Sequence, residues 1–172
     1  MLAQVSTLCD TLRSAPYNLP TVVLSIDDFY LPHTEQVSLA QSNPNNPLVQ
    51  HRGQPSTHDL PLAISVFSAL REHEPTRIPV YDKSAFQGQG DRTDPSSWHE
   101  VNRPGEQLIE VVVFEGWCVG FRPLSDEELE RKWAAACEKE KQSPGVSQLG
   151  KHRFESVKFV NDALKEYDAL TE

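Results

Sequence analysis

Apolar residues in this chain fall into two kinds of run, and the contrast between them predicts the fold. Thr21-Val22-Val23-Leu24-Ser25-Ile26 and Val111-Val112-Val113-Phe114 are continuous and rich in β-branched residues, as in strands covered on both faces. Each run ends abruptly on acid, at Asp27-Asp28 in the first case and Glu115-Gly116 in the second. The remaining apolar positions recur at helical spacing. Leu2, Val5, Cys9 and Leu12 predict a helix that Pro16 and Pro20 close off. A helix is expected after Thr34, and Asn43-Pro44-Asn45-Asn46-Pro47 cannot continue it. Ala63, Val66, Phe67 and Leu70 predict an amphipathic helix entered near Thr57 and Asp59. Ser125-Asp126-Glu127-Glu128 reads as a capping box ahead of Leu129, Trp133, Ala136 and Cys137. Beyond Ser143-Pro144-Gly145, the positions Val157, Val160, Leu164 and Tyr167 describe a last helix.

Residues 76–105 lack periodicity and are rich in Gly, Pro, Asp and Ser, which predicts a long loop region of the kind that often carries function. The alternation of strand and helix with non-alternating strands argues for an α/β fold on a parallel sheet. Two strands are too few for such a sheet. The first helix starts at Met1 with nothing to cap it, and no strand follows the last helix before Glu172. Residues 1–172 therefore read as a single incomplete domain. Its sheet is expected to expose apolar edge and face, favouring aggregation or weak folding.

Composition narrows the function classes. With 172 residues, 38% hydrophobic and 24% charged, the chain is of soluble globular type. Its net charge of −9 comes without a basic stripe, which argues against nucleic acid as a partner. No apolar run approaches the roughly 18 residues of a membrane helix, so no membrane partner is expected. The N-terminal residues lack the pattern of a signal peptide. Cys9, Cys118 and Cys137 are odd in number and far apart, unlike a zinc site or a disulfide framework. A reducing, cytoplasmic setting is expected.

In open parallel sheets, ligands gather beyond the carboxyl ends of the strands. Asp27, Asp28 and Glu115 would all lie there, although acids at such positions equally often cap turns. Between the two strands lie Gln50 to Asp59, with two histidines and an arginine around a glycine; Ile78 to Ser84, with Asp82 beside Lys83; and Gly88-Gln89-Gly90-Asp91-Arg92. Arg52 and Arg92 could clamp an anion bidentately or lie at the surface. The G-x-G by itself is weak evidence for phosphate binding, since it lacks a strand before it and a helix after it.

The ordered set Ser25-Ile26-Asp27-Asp28-Phe29-Tyr30, Arg52-Gly53-x-Pro55-x-Thr57-His58-Asp59, Pro79-Val80-Tyr81-Asp82-Lys83-Ser84, Gly88-x-Gly90-Asp91-Arg92 and Phe114-Glu115-Gly116-Trp117-x-x-Gly120-Phe121 resembles the glycerate kinase group of P-loop kinases. That group is related to uridine kinase, phosphoribulokinase and the bacterial-type pantothenate kinases. The resemblance covers about residues 1–124; residues 125–153 look like a variable insertion, and 154–172 resemble the helix before the next family strand. It implies a partial three-layer parallel-sheet P-loop kinase fold, without the P-loop strand and without the C-terminal strand and lid. It further implies transfer of the ATP γ-phosphoryl group, with Mg2+, to a hydroxyl of D-glycerate or a similar small acid. Asp27 matches the acid that orients the hydroxyl or accepts its proton. Asp28 would support Asp27 or hold a magnesium-bound water, and Glu115 matches the magnesium-binding acid. Arg52, His58, Asp59, Tyr81, Lys83 and Arg92 match the acceptor-side motifs.

One departure is severe. The phosphate-cradling run G-x-x-x-x-G-K-[ST] occurs nowhere in these 172 residues, so the chain as given is expected to bind ATP poorly and to be inactive in transfer. The alternative expectation is a non-catalytic remnant of the same fold that binds a metabolite or a partner.

Overall fold

The computed structural model describes residues 2–171, with side chains from residue 5 onward. The expectations that fall on Met1, on Glu172 and on the Leu2 side chain lie outside the described residues. Contacts divide the chain into two compact units, Met1–His33 with His58–Val119, and Thr34–Thr57 with Gly120–Glu172.

The first unit is built on a parallel pair of strands, β1 (Thr21–Ser25) and β6 (Val111–Glu115), in the register Thr21↔Val111 through Ser25↔Glu115. Helix α1 (Leu2–Arg13) packs on β1. Cys9 is buried, and the Arg13 guanidinium donates from Nη2 to the Thr21 carbonyl at 2.7 Å. Helix α3 (Leu60–Arg71) starts where expected, because Asp59 Oδ1 accepts the Leu62 N–H at 3.0 Å. Its buried face is Ala63, Val66 and Leu70. Phe67 of α3 meets Phe114 of β6 edge-on, with ring centroids 4.9 Å apart. Leu24 and Phe29 are fully enclosed; truncating Leu24 to alanine would cost roughly 2–5 kcal/mol. All five residues of β6 are only half-buried, and β1 is its one partner among the described residues.

The region 76–105, expected as loop, contains short strands. β2 (Thr76–Ile78) pairs antiparallel with β5 (His99–Val101), and β3 (Tyr81–Asp82) pairs antiparallel with β4 (Asp91–Arg92). Strands of two or three residues hold at most one alternation of side chains, so no periodic signal can reveal them.

The second unit holds α2 (His33–Ser42) from Thr34 onward and α4 (Asp126–Gln142), and both helices occupy the expected positions. Ser125 caps α4 by accepting the Glu128 N–H at 3.2 Å. Helix α5 (Phe154–Ala163) runs into a 3-10 turn through Leu170, with Val157, Tyr167 and Leu170 buried. The Asn161 amide ties this helix to the segment before α4, donating to the Leu124 carbonyl and accepting its N–H, each at 2.9 Å. Among the described residues, no helix is long and apolar enough to cross a membrane.

Candidate functional site

The parallel register brings the acids together. Ser25 and Glu115 are the last pair of the ladder, so both strands finish at the same end. Immediately after Ser25 the chain turns into a 3-10 helix, Ile26–Phe29, capped by the Ser25 hydroxyl. That turn buries Ile26 and Phe29 and leaves Asp27 and Asp28 half-buried. On the other strand Gly116 permits the approach: a Cβ there would sit 2.3 Å from Ile26 Cγ2, well inside van der Waals contact.

Charge at this end is concentrated. Burial pushes the Asp28 carboxyl above its ordinary range, the Tyr81 N–H bonded to it opposes that, and the charges of Asp27 and Glu115 raise it further. Asp27 Oδ2 pairs with Lys83 Nζ at 2.6 Å. Cys118 lies nearly fully buried close by. Desolvation raises its thiol to about 11, with the Asp27 charge adding to the effect.

A second group of predicted residues forms a knot around Tyr30. His58 stacks on the Tyr30 ring at 4.4 Å, and Tyr81 meets the same ring edge-on at 5.4 Å. Tyr30 and His58 also form a β-bridge. Arg92 Nη2 donates to the Tyr30 carbonyl at 3.0 Å, and Arg92 Nη1 pairs with Asp59 Oδ2 at 2.9 Å. The Asp59 N–H donates to the Phe29 carbonyl at 2.7 Å. Burial lowers the His58 pKa to about 4, although the Asp27 charge acts in the opposite direction. The imidazole is therefore neutral at physiological pH.

Of the residues singled out in the sequence, Asp27, Asp28, His58, Asp59, Tyr81, Lys83, Arg92 and Glu115 all belong to the first unit, and Arg52 to the second. Three residues enter the description that sequence reading had not made site residues. Tyr30 organises the knot, Asp91 accepts from the backbone N–H groups of His33 and Arg92 through Oδ1, and Cys118 neighbours Asp27. An aromatic pair placed straight after two acids, Phe29-Tyr30, was the available signal for the first.

Magnesium fits this end of the sheet in part. Among the described residues no three His, Cys, Asp or Glu side chains make a ready cage for a metal. Magnesium seldom needs one, since it keeps waters and takes one or two carboxylates together with phosphate oxygens. The mutual repulsion felt by Asp28 is what a divalent cation would relieve. The run G-x-x-x-x-G-K-[ST], which supplies a nest of amides to phosphates, does not occur in these 172 residues.

The relatives that the comparisons find are kinases. The chain is 51% identical over 109 residues to the "Uncharacterized kinase mug58" of Schizosaccharomyces pombe, covering 62% of this chain and 38% of that protein. It is 42% identical over 108 residues to the chloroplastic D-glycerate 3-kinase of Arabidopsis thaliana, covering 60% of this chain and 23% of that protein. The fold matches a solved D-glycerate 3-kinase from Cryptococcus neoformans var. grubii with a TM-score of 0.81 and 38% identity, over 96% of this chain and 55% of that one. No family model matches the chain. The resemblance read from the motifs is thus borne out: this chain is a relative of kinases and has the fold of D-glycerate 3-kinase. It spans about half the length of that solved chain and less than two fifths of these curated relatives.

Proposed function

We propose that this chain is the acceptor-binding part of an ATP-dependent kinase that phosphorylates a hydroxyl of D-glycerate or a closely similar small acid. The observation that carries the reading is the Ser25↔Glu115 pairing, which puts Asp27, Asp28 and Glu115 at one end of one parallel pair. Asp27 orients the acceptor hydroxyl and takes its proton on Oδ2 as the oxygen attacks. Glu115, with Asp28, would hold Mg2+, which would supply positive charge to offset that of the phosphate. His58, being neutral, can exchange a hydrogen bond with an acceptor hydroxyl without adding charge. Tyr81 and Lys83 complete the acceptor side. A cytoplasmic setting accords with the chemistry and with the lack of any cysteine pairing requirement.

A second reading is favoured by one specific feature, the lack of a phosphate-cradling glycine-lysine run in these 172 residues. On that reading the chain binds the acceptor or a partner and transfers nothing. Calorimetric titration of the purified chain with D-glycerate tests what the two readings share, and incubation with Mg2+ and ATP separates them. Glycerate binding that Asp27→Asn changes several-fold, because the substitution removes both a charged acceptor for the hydroxyl and the charge that holds Lys83, supports the acceptor site. Phosphoglycerate formed above the Asp27→Asn background would reject the inert remnant. Binding unchanged by Asp27→Asn would reject the acceptor assignment.

A further inference from the structure

Two cations face the acceptor side, and their surroundings assign them different work. We infer that Lys83 reads the carboxylate of the acceptor, whereas Arg92 is a positioning residue that does not touch it; this rests on the acceptor-binding reading above.

Arg92 is committed. Its side chain is 12% exposed; Nη1 pairs with Asp59 Oδ2 at 2.9 Å, and Nη2 donates to the Tyr30 carbonyl at 3.0 Å. The partner carboxylate is itself 22% exposed, and its other oxygen caps α3 by accepting the Leu62 N–H. Turning the guanidinium toward a ligand would strand a largely buried carboxylate and a backbone carbonyl. Breaking such a pair from one side costs far more than making it contributes. Arg92 instead fixes three separate segments: the turn ending at Tyr30, the start of α3, and β4. Through Tyr30 it sets the plane on which His58 stacks.

Lys83 is placed for exchange. Its side chain is 59% exposed, and it bonds Asp27 Oδ2 at 2.6 Å. Exposed lysine–carboxylate pairs are weak and screened by solvent, and the ammonium sits on a flexible four-carbon stem. An incoming carboxylate can therefore take Lys83 from Asp27 with the ion-pair count unchanged and no proton moved. The exchange uncovers Asp27 Oδ2 for the acceptor hydroxyl. A neutral polyol offers nothing in return and leaves Lys83 on Asp27. The acceptor's own carboxylate thus licenses the base, and selectivity for hydroxy acids over neutral alcohols follows.

Titrating wild type, Lys83→Met and Arg92→Met with D-glycerate and with its neutral amide, glyceramide, tests this. The wild type should prefer glycerate by roughly tenfold or more, the scale of one charge-assisted hydrogen bond. Lys83→Met should bring the ratio close to one. Arg92→Met should weaken both ligands by a similar factor and leave the ratio standing. Retention of the glycerate preference by Lys83→Met would overturn the inference. So would its loss in Arg92→Met with glyceramide binding intact. If Arg92→Met does not fold, as judged by circular dichroism, Asp59→Asn replaces it: the ratio should stay, and a rise would make Arg92 the reader. A wild type that binds neither ligand would refute the acceptor site itself, and this assignment with it.

Discussion

Ser25 and Glu115 face each other as the final pair of the parallel ladder, and Gly116, one residue further on, lies against Ile26 so closely that no side chain fits between them. The acids of the two strand ends are held together by that contact. Close packing here is a condition of the site as well as of the core.

Gly116→Ala should therefore damage binding and stability together. The added methyl would lie 2.3 Å from Ile26 Cγ2, and overpacking of this kind costs roughly 1–3 kcal/mol. Relief requires the 3-10 turn carrying Asp27 and Asp28 to move away from Glu115. Urea denaturation should register the destabilisation, and glycerate titration should register weakened affinity. A variant as stable and as tight as wild type would mean that the strand ends are not constrained in this way.

Asp28→Asn should make the protein more stable at neutral pH. Burial, opposed by the Tyr81 N–H and reinforced by Asp27 and Glu115, raises the folded-state pKa of Asp28. The folded state therefore favours the protonated form, and stability falls as pH rises through the window above 3.8. Asparagine keeps an acceptor for the Tyr81 N–H and removes the charge. At about 10 mM, Mg2+ should stabilise the wild type by roughly 1 kcal/mol, given millimolar affinity. That gain should shrink in Asp28→Asn and vanish in Glu115→Gln. Equal magnesium effects in all three proteins would remove the metal from this end of the sheet.

His58 should make the protein acid-sensitive. Its pKa is lowered from 6.5 to about 4 by burial, so the unfolded chain binds the proton more readily than the folded one. Stability is fully present above 6.5 and is lost as pH falls toward 4, by about 2 kcal/mol near pH 5 and about 3 kcal/mol near pH 4. His58→Gln should flatten this part of the profile. The check is a denaturant midpoint series across that range for both proteins; parallel slopes would contradict a buried neutral histidine.

Much of this was legible in the residues themselves. The two parallel strands announced themselves through Val22-Val23-Leu24 and Val111-Val112-Val113, since continuous β-branched runs suit a strand covered on both faces. Asp59 and Ser125 were readable as helix starts because capping is a local interaction. Strands β2 to β5 were not readable, being too short to carry a period. Nor was the Arg92–Asp59–Tyr30 knot, whose partners come from three distant segments. Local sequence holds the donor and acceptor types; it does not hold which of several arginines meets which acid.

The most direct test follows where a divalent ion goes. Mn2+ in place of Mg2+ broadens nuclear magnetic resonances of groups near it, and a substoichiometric titration with D-glycerate present would locate it. Broadening should appear first at Asp27, Asp28, Glu115 and Gly116 and on the protons of bound glycerate. Broadening confined to the acidic first turn of α4, at Asp126, Glu127 and Glu128, with glycerate untouched, would contradict a metal and an alcohol meeting at the strand ends.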